Sequence, residues 1–113
     1  MTETEDVARR YFAAWTARDR ETVAALLAPD FRFTGAGMTI EGRDAFLDAG
    51  AFPADATTTM VAEAYQGEIG FQMYDAARAD RTVRIVEQLT VRDGKVASSV
   101  FVADMAAFGA FAS

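Results

Sequence analysis

Glu87 stands at the centre of RTVRIVEQLTVRDGK, residues 81–95, in phase with Val83, Ile85, Leu89 and Val91. Side chains two apart in a strand point to the same face. The more apolar face of this strand therefore carries a carboxyl group. Burial disfavours a charged carboxylate and raises its pKa. A carboxyl kept protonated in this way donates a hydrogen bond to a developing oxyanion or serves as a general acid. The competing reading is structural, with Glu87 on an uncovered part of that face or paired with an arginine. Tyr11, in ARRYFAAW, is the second polar group on an apolar stripe. Its hydroxyl either assists at the same oxygen or sits at the edge of a core. Trp15, one helical turn on, is packing or pocket wall, with an indole N–H able to reach a ligand.

The rest of the composition narrows the chemistry. The chain has no His and no Cys among its 113 residues. The commonest general base, the commonest metal ligand and all thiol chemistry are therefore missing. No metal, haem or dinucleotide cofactor is expected. Gly35 and Gly37 do not make a phosphate loop, because GAG lacks the lysine and spacing of one. The formal net charge is -6, with a single lysine, Lys95, which argues against a nucleic-acid partner. No apolar run approaches the ~20 residues of a membrane helix. The acidic start, MTETEDVARR, is unlike a secretory signal, so a cytoplasmic location is expected.

The elements that must hold these groups follow from periodicity. Residues 4–18 read as an amphipathic helix with Val7, Ala8, Tyr11 and Trp15 inward, and Thr2 with Glu5 as a capping box. Asp19 caps a second helix over residues 21–28, which Pro29 limits. FRFTGAG, residues 31–37, is a strand running into a turn, and a third helix covers about 43–50. After Pro53 the period changes from 3.6 to 2. Strands are predicted over 57–65, 68–75, 82–91 and 95–104, with Asp93-Gly94 as a hairpin turn. Ile69, Phe71 and Met73 share one face of the second of these; Ser99 and Phe101 oppose Val100 and Val102 on the last. Phe33, Met60, Phe71, Met73 and Phe101 are candidates for a ligand-binding wall, with plain core packing or, for some of them, outer-sheet dimer surface as the alternatives. Short links favour an antiparallel meander with helices on one face, an α+β architecture. The length suits one domain, residues 1–113.

RRYFAAWTARDRETVAALLAPDFRFTG, followed by IEGRDAFL and a four-strand meander, resembles the nuclear transport factor 2-like superfamily. The ketosteroid isomerase-like and SnoaL-like branches are the most similar. The resemblance implies a cone-shaped barrel, in which a curved, mainly antiparallel sheet holds three N-terminal helices in its concave side. It implies an apolar pocket for a small hydrophobic molecule, and a homodimer through the outer sheet face. It places the isomerases' oxyanion-donating Tyr on Tyr11 and their late-strand acid on Glu87. The place of their proton-moving Asp falls on Gly35, which has no side chain and gives room for a ligand instead. Two functions follow: an isomerase-, cyclase- or hydrolase-type enzyme using Glu87 and Tyr11, or a non-catalytic binder of a hydrophobic metabolite or dimeric accessory protein.

Overall fold

A computed structural model describes residues 1–50 and 52–113. Helix α1 (Glu3–Thr16) starts where the Thr2 side chain accepts from the Glu5 N–H at 3.2 Å, the expected cap. Val7, Ala8, Tyr11 and Ala14 form its buried stripe. It closes in a Schellman turn: Arg18 N–H donates to Trp15 O at 3.1 Å and Asp19 N–H to Ala14 O at 2.9 Å. Asp19 then caps α2 (Arg20–Leu26) through the Thr22 N–H. That helix ends two residues earlier than expected. Strand β1 (Leu27–Gly35) begins at once and carries the exposed Pro29. Its pairing shifts register between Leu27 and Arg32, around the proline that cannot donate a ladder bond.

The remaining elements are β2 (Met38–Glu41), α3 (Arg43–Asp48), β3 (Thr57–Gln66), β4 (Ile69–Arg78), β5 (Arg81–Arg92), β6 (Lys95–Ala103) and α4 (Met105–Ala112). The strands form one sheet in the order β2-β1-β6-β5-β4-β3. The pairings are antiparallel except β1 with β6, which is parallel.

This corrects the expected cone-shaped barrel with three N-terminal helices. The sheet is open: β2 and β3 are its two edges, and no ladder joins them among the described residues. Among the described residues the helices number four, two at the N-terminus, one between β2 and β3, and one formed by the tail. The tail folds because Asp104 caps it, accepting from the Ala107 N–H at 2.9 Å, and because Phe111 is fully buried.

Strand β5 has the alternation read from its sequence, with Val83, Ile85, Glu87, Leu89 and Val91 buried. Two apolar cores meet along it. Leu89 and Val91 join the core of α1, α2, α3 and β1, whereas Val83 and Ile85 join the core that holds Tyr74, Phe101 and Phe111. Glu87 lies at the junction between them.

Candidate functional site

Glu87 owes its surroundings to strand register. It pairs with Gln72 on β4 and with Phe101 on β6. Its diagonal neighbours on the same face are Tyr74 and Ser99, within reach of long side chains. The Tyr74 hydroxyl donates to Glu87 Oε1, and the Ser99 hydroxyl donates to Oε2 at 2.8 Å. Ser99 and Tyr74 are themselves buried. Burial is the larger influence and holds the Glu87 carboxyl above the ordinary glutamate range; the two hydrogen bonds oppose it. No arginine pairs with Glu87 among the described residues. Arg84, three positions away on the outer face, instead grips Asp75 at 2.8 and 3.0 Å.

Above Glu87 lies a cavity of about 200 Å³. Tyr11 and Trp15 of α1 form one wall, Phe33 and Ile40 of β1 and β2 another. Phe46 of α3, Phe52, Phe101 of β6 and Phe108 of α4 complete the aromatic lining. Trp15 stacks on Phe46 with ring centroids 5.3 Å apart, and Phe33 lies 5.3 Å from Phe46 and 5.7 Å from Phe101. The wall is apolar apart from Glu87 and the tyrosine and tryptophan polar tips. Burial, and after it the charge of Glu87, pushes the Tyr11 hydroxyl well above its ordinary pKa, so it stays a donor. Burial also raises Tyr74, reinforced by the charge of Glu87 and by the hydrogen bond between them. No fully buried side-chain polar atom lacks a partner among the described residues. Among the described residues the Tyr11 hydroxyl makes no hydrogen bond, and Tyr11 lines the cavity.

These parts can hold an apolar molecule and set the Tyr11 side chain and a Glu87 carboxyl of raised pKa along its surface. Among the described residues Glu87 is the only carboxyl group lining the cavity, and no cluster of acidic side chains is set to hold a metal ion.

The SnoaL-like domain model matches residues 8–99. The chain belongs to the SnoaL-like family. Its fold is that of solved nuclear transport factor 2-like and SnoaL-like proteins. One is an assigned ketosteroid isomerase from Kribbella flavida DSM 17836, 28% identical, TM-score 0.85, covering 90% of this chain and 78% of that one. Another is an assigned SnoaL-like polyketide cyclase from Jannaschia sp. CCS1, 17% identical, TM-score 0.83, covering 97% and 91%. A third is a nuclear transport factor 2-like protein of unknown function from Burkholderia pseudomallei K96243, 19% identical, TM-score 0.83, covering 100% and 99%. Comparison with curated proteins found no match.

In this SnoaL-like domain the sequence candidates divide into two groups. Tyr11, Trp15, Phe33, Glu87 and Phe101 come together around the cavity. Met60 is half-buried on β3 beside Tyr74 and packs on the second core. Met73 and Phe71 lie on the outer face of β4, with Phe71 47% exposed. Gly35 packs against the backbone of Phe101. Tyr74 and Ser99, the two groups that hold Glu87, were not among the candidates. Their signal was the register: both stand two residues from a direct partner of Glu87. No helix among the described residues is long and apolar enough to cross a membrane.

Proposed function

We propose that this SnoaL-like domain binds a small apolar molecule bearing a carbonyl, enol or epoxide oxygen, and that Glu87 and Tyr11 act on that oxygen. The observation that carries the reading is a buried carboxyl group, raised in pKa, facing an aromatic cavity without a cation to ionise it. Protonated Glu87 donates to the ligand oxygen or transfers its proton there. Tyr74 and Ser99 hold the carboxylate left behind. Tyr11 adds a second donor from the helix side. This supports isomerisation, cyclisation or ring opening, in which charge develops on oxygen.

A second reading, binding without turnover, is favoured by one specific feature: among the described residues no second carboxylate or histidine lines the cavity to accept a carbon-bound proton. Glu87 must then return the proton it gives, or the molecule is held unchanged. A thermal-shift screen of aryl ketones, enones and epoxides tests the pocket, since a ligand that binds only the folded state stabilises it. Product analysis on any hit, with Glu87→Gln alongside, separates the readings. Turnover lost with affinity retained supports the enzyme; affinity changed with no product from either protein supports the binder. No stabilisation by any of these compounds would sink both.

For the partner, we place a second copy of the chain on the outer sheet face. Val61, Phe71, Val100 and Val102 are between 40% and 59% exposed there. A stable pair should bury at least ~1,000 Å² in total. Sedimentation of the wild-type chain and of Val102→Asp is the test: a dimer that the substitution dissociates is expected, and a wild-type monomer at micromolar concentration would refute it.

A further inference from the structure

A second cavity, of about 160 Å³, adjoins the first and shares Trp15 and Gly50 with it. Its other lining residues are Arg18, Arg20, Val23 and Leu47, so it carries two guanidinium groups and no carboxylate. The two arginines differ. Arg20 is neutralised by Asp48, 2.7 Å away, and also donates to Leu47 O at 3.0 Å. Arg18 has no carboxylate partner among the described residues. Its Nη2 donates to two main-chain oxygens, Pro53 O at 2.6 Å and Ala56 O at 3.1 Å. Its Nε and Nη1 hydrogens keep their donor capacity, because a guanidinium has five N–H groups.

Arg18 also occupies a position that does not suit it. It is the left-handed residue of the Schellman turn, at φ 58, where glycine is the usual choice. A residue with a Cβ is strained there. The two carbonyl contacts use one nitrogen of this exposed side chain and supply no negative charge to it.

We propose that this second cavity receives the carboxylate of an amphiphilic ligand whose apolar body fills the first. The ligand class is then a hydrophobic oxo-acid, its ketone oxygen at Tyr11 and Glu87 and its carboxylate at Arg18. The inference rests on the oxygen-bearing ligand proposed above and adds the anionic end. A carboxylate suits the site because one guanidinium has no carboxylate partner among the described residues and one negative charge matches it. Trp15 separates the two ends and sets the body of the ligand against its indole ring. Lys95, the chain's lysine, does not line either cavity, so Arg18 is the cation this ligand end meets.

The test is calorimetric, with three probes of one skeleton: 5-oxo-5-phenylpentanoate, its primary amide, and the parent ketone 1-phenylpentan-1-one. The oxo-acid should bind about tenfold or more tightly than the amide, the strength of a charge-assisted hydrogen bond. The advantage should shrink as salt is added. Arg18→Gly should abolish it while leaving the parent ketone's affinity unchanged, and Arg18→Lys should retain part of it. Glycine suits the turn, so a thermal melt of Arg18→Gly establishes that the fold is intact; Arg18→Gln gives a second variant with the charge removed. Equal binding of acid and amide, or an acid preference that survives Arg18→Gly, would overturn the inference while ketone binding leaves the first cavity's role standing. Failure of all three probes to bind would overturn both.

Discussion

The resemblance to the ketosteroid isomerases implies their proton-moving Asp at the position of Gly35, so introducing an acid there is an obvious way to seek isomerase activity. The structure opposes it. A Cβ built on Gly35 would lie 2.5 Å from Phe101 O and 2.6 Å from Phe101 Cβ, with Phe101 C at 3.1 Å. Two of these atoms are backbone in the parallel β1–β6 pairing, where Thr34 stands opposite Val100, and they cannot swing aside. Gly35 also has φ 150, a conformation that L side chains rarely adopt. Overpacking of this kind costs about 1–3 kcal/mol, and the backbone strain adds about 1–3 kcal/mol. Reduced freedom of the unfolded chain returns about 0.4–1 kcal/mol. Gly35→Ala should therefore lose about 1–6 kcal/mol, a sizeable part of the 5–15 kcal/mol typical of a domain. Gly37 is the control: it has φ 75, and a Cβ there meets nothing within 4 Å. Gly37→Ala should show strain without the clash. Urea denaturation of both variants, at equal slope, isolates the contact with Phe101 as about 1–3 kcal/mol. Gly35→Asp should be at least as unstable as Gly35→Ala and should gain no isomerase activity, because its side chain starts towards Phe101 and β6. Equal losses at Gly35 and Gly37, or a Gly35→Ala protein within about 0.5 kcal/mol of wild type, would refute the packing argument.

Glu87→Gln should reveal the raised carboxyl through pH. A raised folded-state pKa contributes stability that is complete below the ordinary 4.5 and is lost as pH rises through the folded value. Urea melts at pH 4 and pH 8 should therefore show the variant gaining on wild type at the higher pH; a constant difference would mean that the carboxyl is not raised. Tyr74→Phe removes a donor to a buried carboxylate and should cost about 1.5–3 kcal/mol at pH 8, with the Glu87 pKa moving further up by NMR titration; an unmoved pKa would deny the contact its electrostatic role. Phe111 is fully buried between the tail helix and the second core, next to Phe52 at 5.5 Å. Phe111→Ala should cost about 3–5 kcal/mol, and differential scanning calorimetry should show a fall in Tm of about 10 °C or more. A loss below 1 kcal/mol would mean that α4 adds little to the fold.

The strand carrying Glu87 was legible because its two faces differ strongly, and the inward face is the apolar one. The same rule misleads on β4. There the more apolar set, Ile69, Phe71 and Met73, does not form the buried face. The buried set is Gly70, Gln72, Tyr74 and Ala76, a choice made by close packing rather than by hydrophobicity. Gly70 leaves room for the ring of Tyr65, whose carbons lie 2.8 Å from a would-be Cβ. Gln72 is admitted because its amide donates to Ala8 O of α1 at 3.0 Å and to the Tyr65 hydroxyl at 3.1 Å. A buried polar residue with partners costs little, so the pattern of β4 alone does not show which side is inside. The tail was also visible only in part: its phenylalanines called for cover, but nothing local announced the helix that Asp104 starts. The open sheet could not be read from periodicity at all, since the parallel β1–β6 contact joins segments some seventy residues apart, as Phe33 and Ser99 show.

What the sequence did contain was enough to place β4 through its neighbour. Once Glu87 is set inward, a strand in register beside it must bring an inward residue opposite, and that residue is Gln72. Tyr74 then falls on the diagonal by the period of two, and on the other side Phe101 brings Ser99 to the matching position. The holders of the acid are therefore a consequence of register, not of the composition of either strand. A single slip of β4 against β5 would turn Tyr74 to the outer face and bring an outward residue such as Met73 under the cavity. The carboxyl would lose the hydroxyl that steadies its ionised form. Gln72, by tying β4 to α1, helps fix the register that brings the Tyr74 hydroxyl to Glu87.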